Sequence, residues 1–73
     1  MKNLLKVERA RRNMTQKELA HIMGVNIATI NSIETKVYEP SVLLCLRLAL
    51  FFNMSVEDLF IIEPGEENFK EPK

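Results

Sequence analysis

The sequence predicts an all-α domain, and two observations support this prediction. The 73 residues are 47% hydrophobic, with only two glycines and three prolines, as in a small, mostly helical globular chain. Residues 15–34 also contain two short helical patterns that meet at Gly24-Val25. A core this small is marginal unless it packs very well or is shared with a second copy. We expect one domain over residues 1–63 and a charged tail over residues 64–73.

The first helix is expected over residues 3–12. Its apolar contributions are Leu4, Leu5, Val7 and Ala10. Asn13 follows as an exit residue, because asparagine tolerates the left-handed conformation found just past helix ends.

The second helix is expected to start at Thr15, whose hydroxyl can cap it while Glu18 reaches back to complete a capping box. Leu19, Ile22 and Met23 share one helical face. Gly24 ends the helix because glycine accepts a positive φ, and Val25 supplies the accompanying apolar contact.

Asn26 is the predicted N-cap of a third helix, which turns Ile30 and Ile33 inward. The residues predicted to face elsewhere are Ile27, Ala28, Asn31 and Ser32. So tight a turn holds the third helix across the second with its N-terminal end projecting, and such an end fits the major groove of DNA. We favour this interpretation, although periodicity alone is equally compatible with an ordinary helical hairpin in a small bundle.

The rest of the chain predicts two further helices and a short strand. After a polar loop, Pro40-Ser41 precedes a helix over residues 42–52 that is apolar almost all round, so part of it should meet a partner. Asn53 ends that helix, and Ser55 with Asp58 starts a last one reaching Phe60. Residues 60–62 are β-prone and could pair with residues 1–3 or with a two-fold copy, the alternative being an irregular apolar plug.

The net charge is zero, but its distribution is uneven. Residues 1–36 carry seven basic and three acidic side chains, whereas residues 37–73 carry three basic and seven acidic ones. The positive half contains the projecting helix and can orient the protein toward a polyanion. A solvated surface of mixed charge is the simpler alternative.

Several classes of protein are not expected. Val42 to Phe52 is too short to span a bilayer, no secretory signal is evident, and a single cysteine indicates a reducing cytoplasm. His21 and Cys45 have no companions at metal-ligand spacing, so we predict no metal and no cofactor. No nucleophile-base pair, phosphate-binding glycine loop or paired carboxylates point to catalysis, so we predict that the protein is not an enzyme.

The segments TQKELA, GV, TINSIE, YEPS and LRLALFFNMSVEDLF occur in this order. Together they resemble the phage repressor/Cro-like, XRE-type helix-turn-helix family over residues 3–62. The chain is most similar to short stand-alone regulators of the cytolysin repressor type. The resemblance implies a five-helix lambda-repressor-like DNA-binding domain, with the helix-turn-helix at the second and third helices and a short C-terminal β element. It also implies two-fold dimers on palindromic operators.

The resemblance implies roles for particular residues. Gln16 would contact the DNA backbone and brace the reading helix, and Arg9 and Glu34 would form a structural ion pair. The DNA-binding set is Gln16, Lys17, Asn26, Ile27, Ala28, Thr29, Asn31, Ser32, Lys36 and Tyr38. The expected dimer interface is Phe51, Phe52, Phe60, Ile61 and Ile62.

The chain departs from the family pattern at three places. Ile27 and Ala28 stand where relatives often have Arg or Gln, so they can meet only thymine methyl groups or read DNA shape. Lys36 stands where glycine is common, and a left-handed turn costs more there for lysine. Glu8 stands where relatives have leucine, so we expect that part of the first helix to be less buried.

Two functions follow as hypotheses. The first is sequence-specific binding of double-stranded DNA by a homodimeric transcriptional regulator, a repressor, with no small-molecule ligand evident. The second is an antitoxin-like or protein-interaction module that keeps the fold but uses the apolar fourth helix and the C-terminal run on another protein.

Overall fold

The computed structural model describes residues 1–67, and most of the predicted tail, including Phe69, lies outside them. It contains five helices and one two-stranded sheet, which confirms the predicted fold class. In chain order the elements are β1 (Lys2–Asn3), α1 (Leu5–Arg11), α2 (Gln16–Met23), α3 (Ile27–Glu34), α4 (Val42–Phe52), α5 (Val56–Leu59) and β2 (Phe60–Ile61).

Residues 2–3 form a strand, so the helix predicted over residues 3–12 begins later than predicted, at Leu5, and it ends one residue earlier, at Arg11. β1 pairs antiparallel with β2, with Lys2 opposite Ile61 and Asn3 opposite Phe60. The Asn3 side chain accepts a hydrogen bond from the backbone N–H of Leu5 at 3.2 Å and donates one to the carbonyl of Ile33 at 2.9 Å. Asn3 therefore starts α1 and ties the sheet to the end of α3.

Two pairing partners were predicted for residues 60–62, namely residues 1–3 and a two-fold copy. In the structure, the strand at residues 60–61 pairs with residues 2–3 of its own chain. α5 ends at Leu59 rather than reaching Phe60, because Phe60 already has extended backbone angles. The Ser55 side chain caps nothing here, although Ser55 occupies the N-cap position as predicted. Ile62 lies beyond the strand and is exposed.

The core is formed by one cluster of buried side chains drawn from every helix and from β2. Its members are Leu5, Leu19, Ala20, Met23, Ile30, Ile33, Leu44, Leu48, Ala49, Phe52, Leu59 and Phe60. Val7 and Ala10 were predicted to contribute to the apolar side of α1, but both are exposed. Ile22 is also 45% exposed, because α2 buries Leu19 and Met23 and turns Ile22 to one side.

Glu8 contradicts the expectation that its part of α1 is less buried, since its exposed fraction is only 7%. Arg12 contacts its carboxylate at 3.0 Å and Arg11 at 3.6 Å. The Arg12 guanidinium also donates to the carbonyl of Phe52 at 3.1 Å and lies 4.8 Å from the centre of the Phe52 ring. A buried carboxylate is tolerated when it is paired in this way, and the pair joins α1 to the end of α4.

α4 has the predicted bounds because both of its ends are encoded locally. The Ser41 hydroxyl accepts a hydrogen bond from the backbone N–H of Leu44 at 3.2 Å, and Asn53 ends the helix with φ 55°. Over residues 1–67, no helix has both the length and the apolar character needed to cross a membrane.

Candidate nucleic-acid interface

The start of α2 and the turn between α2 and α3 both form as the sequence predicts. The Thr15 hydroxyl accepts from the backbone N–H of Glu18 at 3.0 Å, and the Glu18 carboxylate accepts from the backbone N–H of Thr15 at 2.9 Å. These bonds fix the start of α2 and hold the pKa of Glu18 below its usual value. Gly24 adopts φ 70° at the other end, and the N–H of Val25 donates to the carbonyl of Ala20 at 3.0 Å. Only three residues, Gly24, Val25 and Asn26, therefore separate α2 from α3.

α3 separates its buried and exposed faces in the predicted way. Ile30 and Ile33 are buried in the core, while Ile27 is 50% exposed and Ala28 is also exposed. Asn26 occupies the N-cap position with extended backbone angles, and its side chain makes no capping hydrogen bond. The first turn of α3 is therefore presented to solvent.

A network of hydrogen bonds holds α3 against α1 and α2. Arg9 donates to both oxygens of the Glu34 carboxylate, from Nε at 2.7 Å and from Nη2 at 2.9 Å. Its third nitrogen donates to the carbonyl of Met14 at 2.8 Å. Gln16 donates from Nε2 to Oδ1 of Asn31 and to Oε1 of Glu34, each at 3.1 Å. The head of α2 is thereby connected to the middle and the end of α3.

The electrostatics of this network favour the charged forms of both ionisable groups. Burial acts to raise the pKa of Glu34, but the hydrogen bonds from Arg9 and Gln16, with the charge of Arg9, outweigh it, so the pKa lies below its usual value. The hydrogen bond to Glu34 raises the pKa of Arg9 in turn. A doubly hydrogen-bonded arginine-carboxylate pair of this kind is directional, so it sets the orientation of α3 as well as its position.

The loop after α3 carries two more of the predicted residues, Lys36 and Tyr38. Lys36 adopts φ 65°, a left-handed conformation that favours glycine, and its Nζ lies 2.6 Å from a carboxylate oxygen of Glu63. This hydrogen bond raises the pKa of Lys36 and lowers that of Glu63. Tyr38 is exposed and lines an open hollow of about 280 Å³ together with Ala28, Thr29 and Ser32.

The structure therefore brings most of the predicted DNA-contact residues onto one surface. Those carried by α3 are Asn26, Ile27, Ala28, Thr29, Asn31 and Ser32, with Gln16 and Tyr38 beside them. Lys17 is exposed next to Gln16 at the start of α2 and lines a separate hollow with Glu18, His21 and Ile22. The ion pair of Lys36 with Glu63 has no signature in the sequence, because 27 residues separate its partners.

The residues predicted for the dimer interface do not lie on one surface. Phe52 and Phe60 are buried in the core of the single chain, Phe51 and Ile61 are partly buried, and Ile62 is exposed. The large apolar side chains that α4 exposes are instead Val42, Leu43, Leu46 and Leu50. The sequence contained this signal, because Leu44 and Leu48 stand one turn apart on the buried face, whereas Leu43, Leu46 and Leu50 recur at intervals of three and four residues on another face.

The sequence of this chain is similar to those of helix-turn-helix proteins along nearly its whole length. The helix-turn-helix family matches residues 5–59. An uncharacterised HTH-type transcriptional regulator of Methanocaldococcus jannaschii is 47% identical over 66 residues, covering 90% of this chain and all of the relative. The uncharacterised HTH-type transcriptional regulator YgzD of Bacillus subtilis is 43% identical over 68 residues, covering 93% and 100%. One from Archaeoglobus fulgidus is 42% identical over 66 residues, covering 90% and 93%.

Proposed function

The chain belongs to the XRE-type helix-turn-helix family of DNA-binding transcriptional regulators, and from this premise we propose that it acts as a homodimeric repressor with α3 in the major groove. The observation that carries the proposal is the exposed first turn of α3, braced from behind by Gln16, Arg9 and Glu34. A recognition helix of this kind contacts base edges with its N-terminal residues while the preceding helix crosses the backbone. The bracing lowers the cost of binding, because α3 is already ordered.

The distribution of charge supports a polyanionic partner. Seven of the chain's ten basic side chains lie within residues 1–36, which include α2 and α3. Gln16 and Lys17 stand at the start of α2, where contact with the DNA backbone requires polar or positive groups. Each phosphate that the protein neutralises releases a counterion, so the affinity for duplex DNA should fall steeply with salt concentration.

We propose that a second copy of the chain covers the exposed face of α4. Leu43, Leu46 and Leu50 recur at intervals of three and four residues and so share one helical face, and Leu50 is 79% exposed. An apolar stripe of this kind on so small a domain is typical of an interface. Two copies related by a two-fold axis would place their α3 helices about 34 Å apart on a palindromic site.

The proposal is tested by titrating labelled duplexes from the region upstream of the protein's own gene, with fluorescence anisotropy as the readout. Lys17→Ala should weaken binding and reduce the dependence of log affinity on log salt by about one unit. Lys2→Ala removes the same charge from β1, outside the helix-turn-helix, and is the matched control. Failure to find salt-sensitive binding to any duplex would overturn the proposal.

The proposed dimer has its own test in sedimentation equilibrium. Leu50→Glu should convert a dimer into a monomer, whereas Val7→Glu adds the same charge at an exposed apolar position of α1 and should leave the dimer intact. A wild-type protein that is monomeric at micromolar concentration, with or without DNA, would contradict the proposed two-fold complex.

The exposed face of α4 also keeps the antitoxin-like alternative in consideration, since a different protein could occupy it. That function predicts a stable hetero-complex and no effect of Gln16→Ala on duplex binding. The regulator proposed here requires the opposite result, because Gln16 both braces α3 and stands at the predicted backbone contact.

A further inference from the structure

Two side chains that could hydrogen-bond to bases, Gln16 and Asn31, also bond to each other. The Asn31 side chain accepts from Gln16 at 3.1 Å, and the same amide group of Gln16 donates to Glu34 at 3.1 Å. Glu34 is in turn bound by Arg9 through both oxygens. Gln16 and the Oδ1 atom of Asn31 are thus engaged within the protein, where they position α3, whereas the exposed Asn26 side chain makes no capping hydrogen bond.

What α3 presents at its first turn is largely apolar. Ile27 is half exposed, and Ala28 is exposed and has only a methyl group beyond its backbone. Ala28 also forms one wall of the hollow that it shares with Thr29, Ser32 and Tyr38. Neither Ile27 nor Ala28 can donate or accept a hydrogen bond through its side chain. A base edge next to them gains free energy only if it also carries an apolar group.

We propose that this chain selects its DNA through the C5-methyl groups of thymine, with Ile27 as the principal contact and Ala28 permitting close approach. The inference rests on the proposed docking of α3 in the major groove. Thymine is the base that presents an apolar group there, whereas the other groups displayed are hydrogen-bond donors and acceptors. Basic residues near the turn supply affinity for the phosphates without regard to sequence. Half-sites with thymines opposite the first turn of α3 are therefore preferred.

The size of the effect follows from the burial of one methyl group. Removing a methyl that is fully buried in the interface weakens binding about fourfold. In a two-fold site the same contact occurs twice, so removing both symmetric methyl groups weakens binding about fifteenfold. Effects of this size are readily measured by titration.

Replacing thymine by deoxyuridine is the sharpest test, because it removes only the methyl group and leaves every hydrogen-bonding group in place. The probes are duplexes of about 20 base pairs recovered by the wild-type protein from a randomised pool, long enough for two half-sites. Each thymine is replaced in turn, and the affinity is measured by fluorescence anisotropy. At one or two positions in each half-site we expect the fourfold loss, rising to about fifteenfold on symmetric replacement.

Ile27→Ala identifies the side chain that makes the contact. This variant should bind the thymine duplex more weakly and should no longer distinguish deoxyuridine from thymine at the position that Ile27 contacts, as a double-mutant cycle requires. Ile22→Ala is the matched control, since it makes the same change at an isoleucine that is 45% exposed on α2. It should keep the full penalty for deoxyuridine. Circular dichroism melting shows whether each variant is folded.

The outcomes separate this inference from the proposed function. Sequence-selective binding by the wild-type protein that tolerates deoxyuridine at every position overturns the inference and leaves the proposed function standing. A penalty for deoxyuridine that persists in a folded Ile27→Ala variant overturns the assignment to Ile27. Absence of binding to any duplex overturns both. The deoxyuridine scan uses the wild-type protein, so it remains decisive even if Ile27→Ala does not fold.

Discussion

Replacing Glu34 with alanine tests whether one buried carboxylate holds three helices together. The Glu34 side chain is 4% exposed and accepts three side-chain hydrogen bonds, two from Arg9 and one from Gln16. Its removal leaves the Arg9 guanidinium, which is 13% exposed, with the Met14 carbonyl as its remaining hydrogen-bond acceptor among residues 1–67. The variant therefore contains a largely buried charge without its counter-charge.

The expected loss of stability is a large part of the total. Breaking a buried ion pair by removing one partner costs about 3 to 5 kcal/mol, and since Arg9 keeps one acceptor we expect about 3 to 4 kcal/mol. Domains of this length unfold with a free energy of roughly 4 to 11 kcal/mol. The melting temperature should accordingly fall by at least about 12 °C.

Urea denaturation at neutral pH, followed by circular dichroism, measures this loss. The double variant Arg9→Met, Glu34→Met should lose much less than the sum of the two single losses, because the first substitution already removes the interaction. Glu63→Gln is the control, since it breaks an exposed ion pair and should change stability little. A loss below about 1 kcal/mol for Glu34→Ala, or strictly additive losses in the cycle, would refute the reasoning.

Three further predictions concern single residues. Arg9 and Gln16 keep the pKa of Glu34 below its ordinary value of about 4.3. The stabilisation that this carboxylate provides is therefore complete above that pH and disappears as the pH falls through the folded-state pKa. In this acid range the free energy of unfolding should accordingly depend less on pH for Glu34→Gln than for wild type. Thr15→Ala removes the acceptor of the capping box and should cost about 1 kcal/mol in urea denaturation, and a neutral result would show that α2 does not need its cap. Lys36→Gly should raise the melting temperature by relieving the strain of φ 65°, and it should weaken DNA binding by removing a cation. A melting temperature and a DNA affinity that rose or fell together would contradict this prediction.

Features set by neighbouring residues were predicted well from the sequence. The capping box at Thr15, the left-handed Gly24 and the bounds of α4 each depend on two or three adjacent positions. The start of α3 was predicted for the same reason, because Asn26 stands at its N-cap two residues after Gly24. The division of its residues into buried and exposed sets followed from helical periodicity.

Features that depend on distant partners were not predicted. Glu8 pairs with Arg11 and Arg12 at the helical spacings of three and four residues, but its burial was not predicted, because it depends on the contact of Arg12 with Phe52 at the distant end of α4. Phe52 and Phe60 are suitable for an interface by composition but fill the core instead, since β1 and β2 close over that end of the domain. The bracing of α3 by Gln16 and the Arg9–Glu34 pair were expected only from the family resemblance, and the bonds of Gln16 to Asn31 and Glu34 depend on side-chain geometry that the sequence does not specify.

The contact between Lys36 and Glu63 gives the molecule a built-in counterion beside its reading helix. Any phosphate that binds Lys36 has to displace the Glu63 carboxylate, so one anion replaces another beside the lysine. The number of salt cations associated with this position therefore does not change on binding. The slope of affinity against salt will therefore underestimate the number of phosphates touched, and Glu63→Gln should steepen it. The same carboxylate weakens attraction to arbitrary polyanions, so the protein would spend less of its time on DNA that lacks its target sequence.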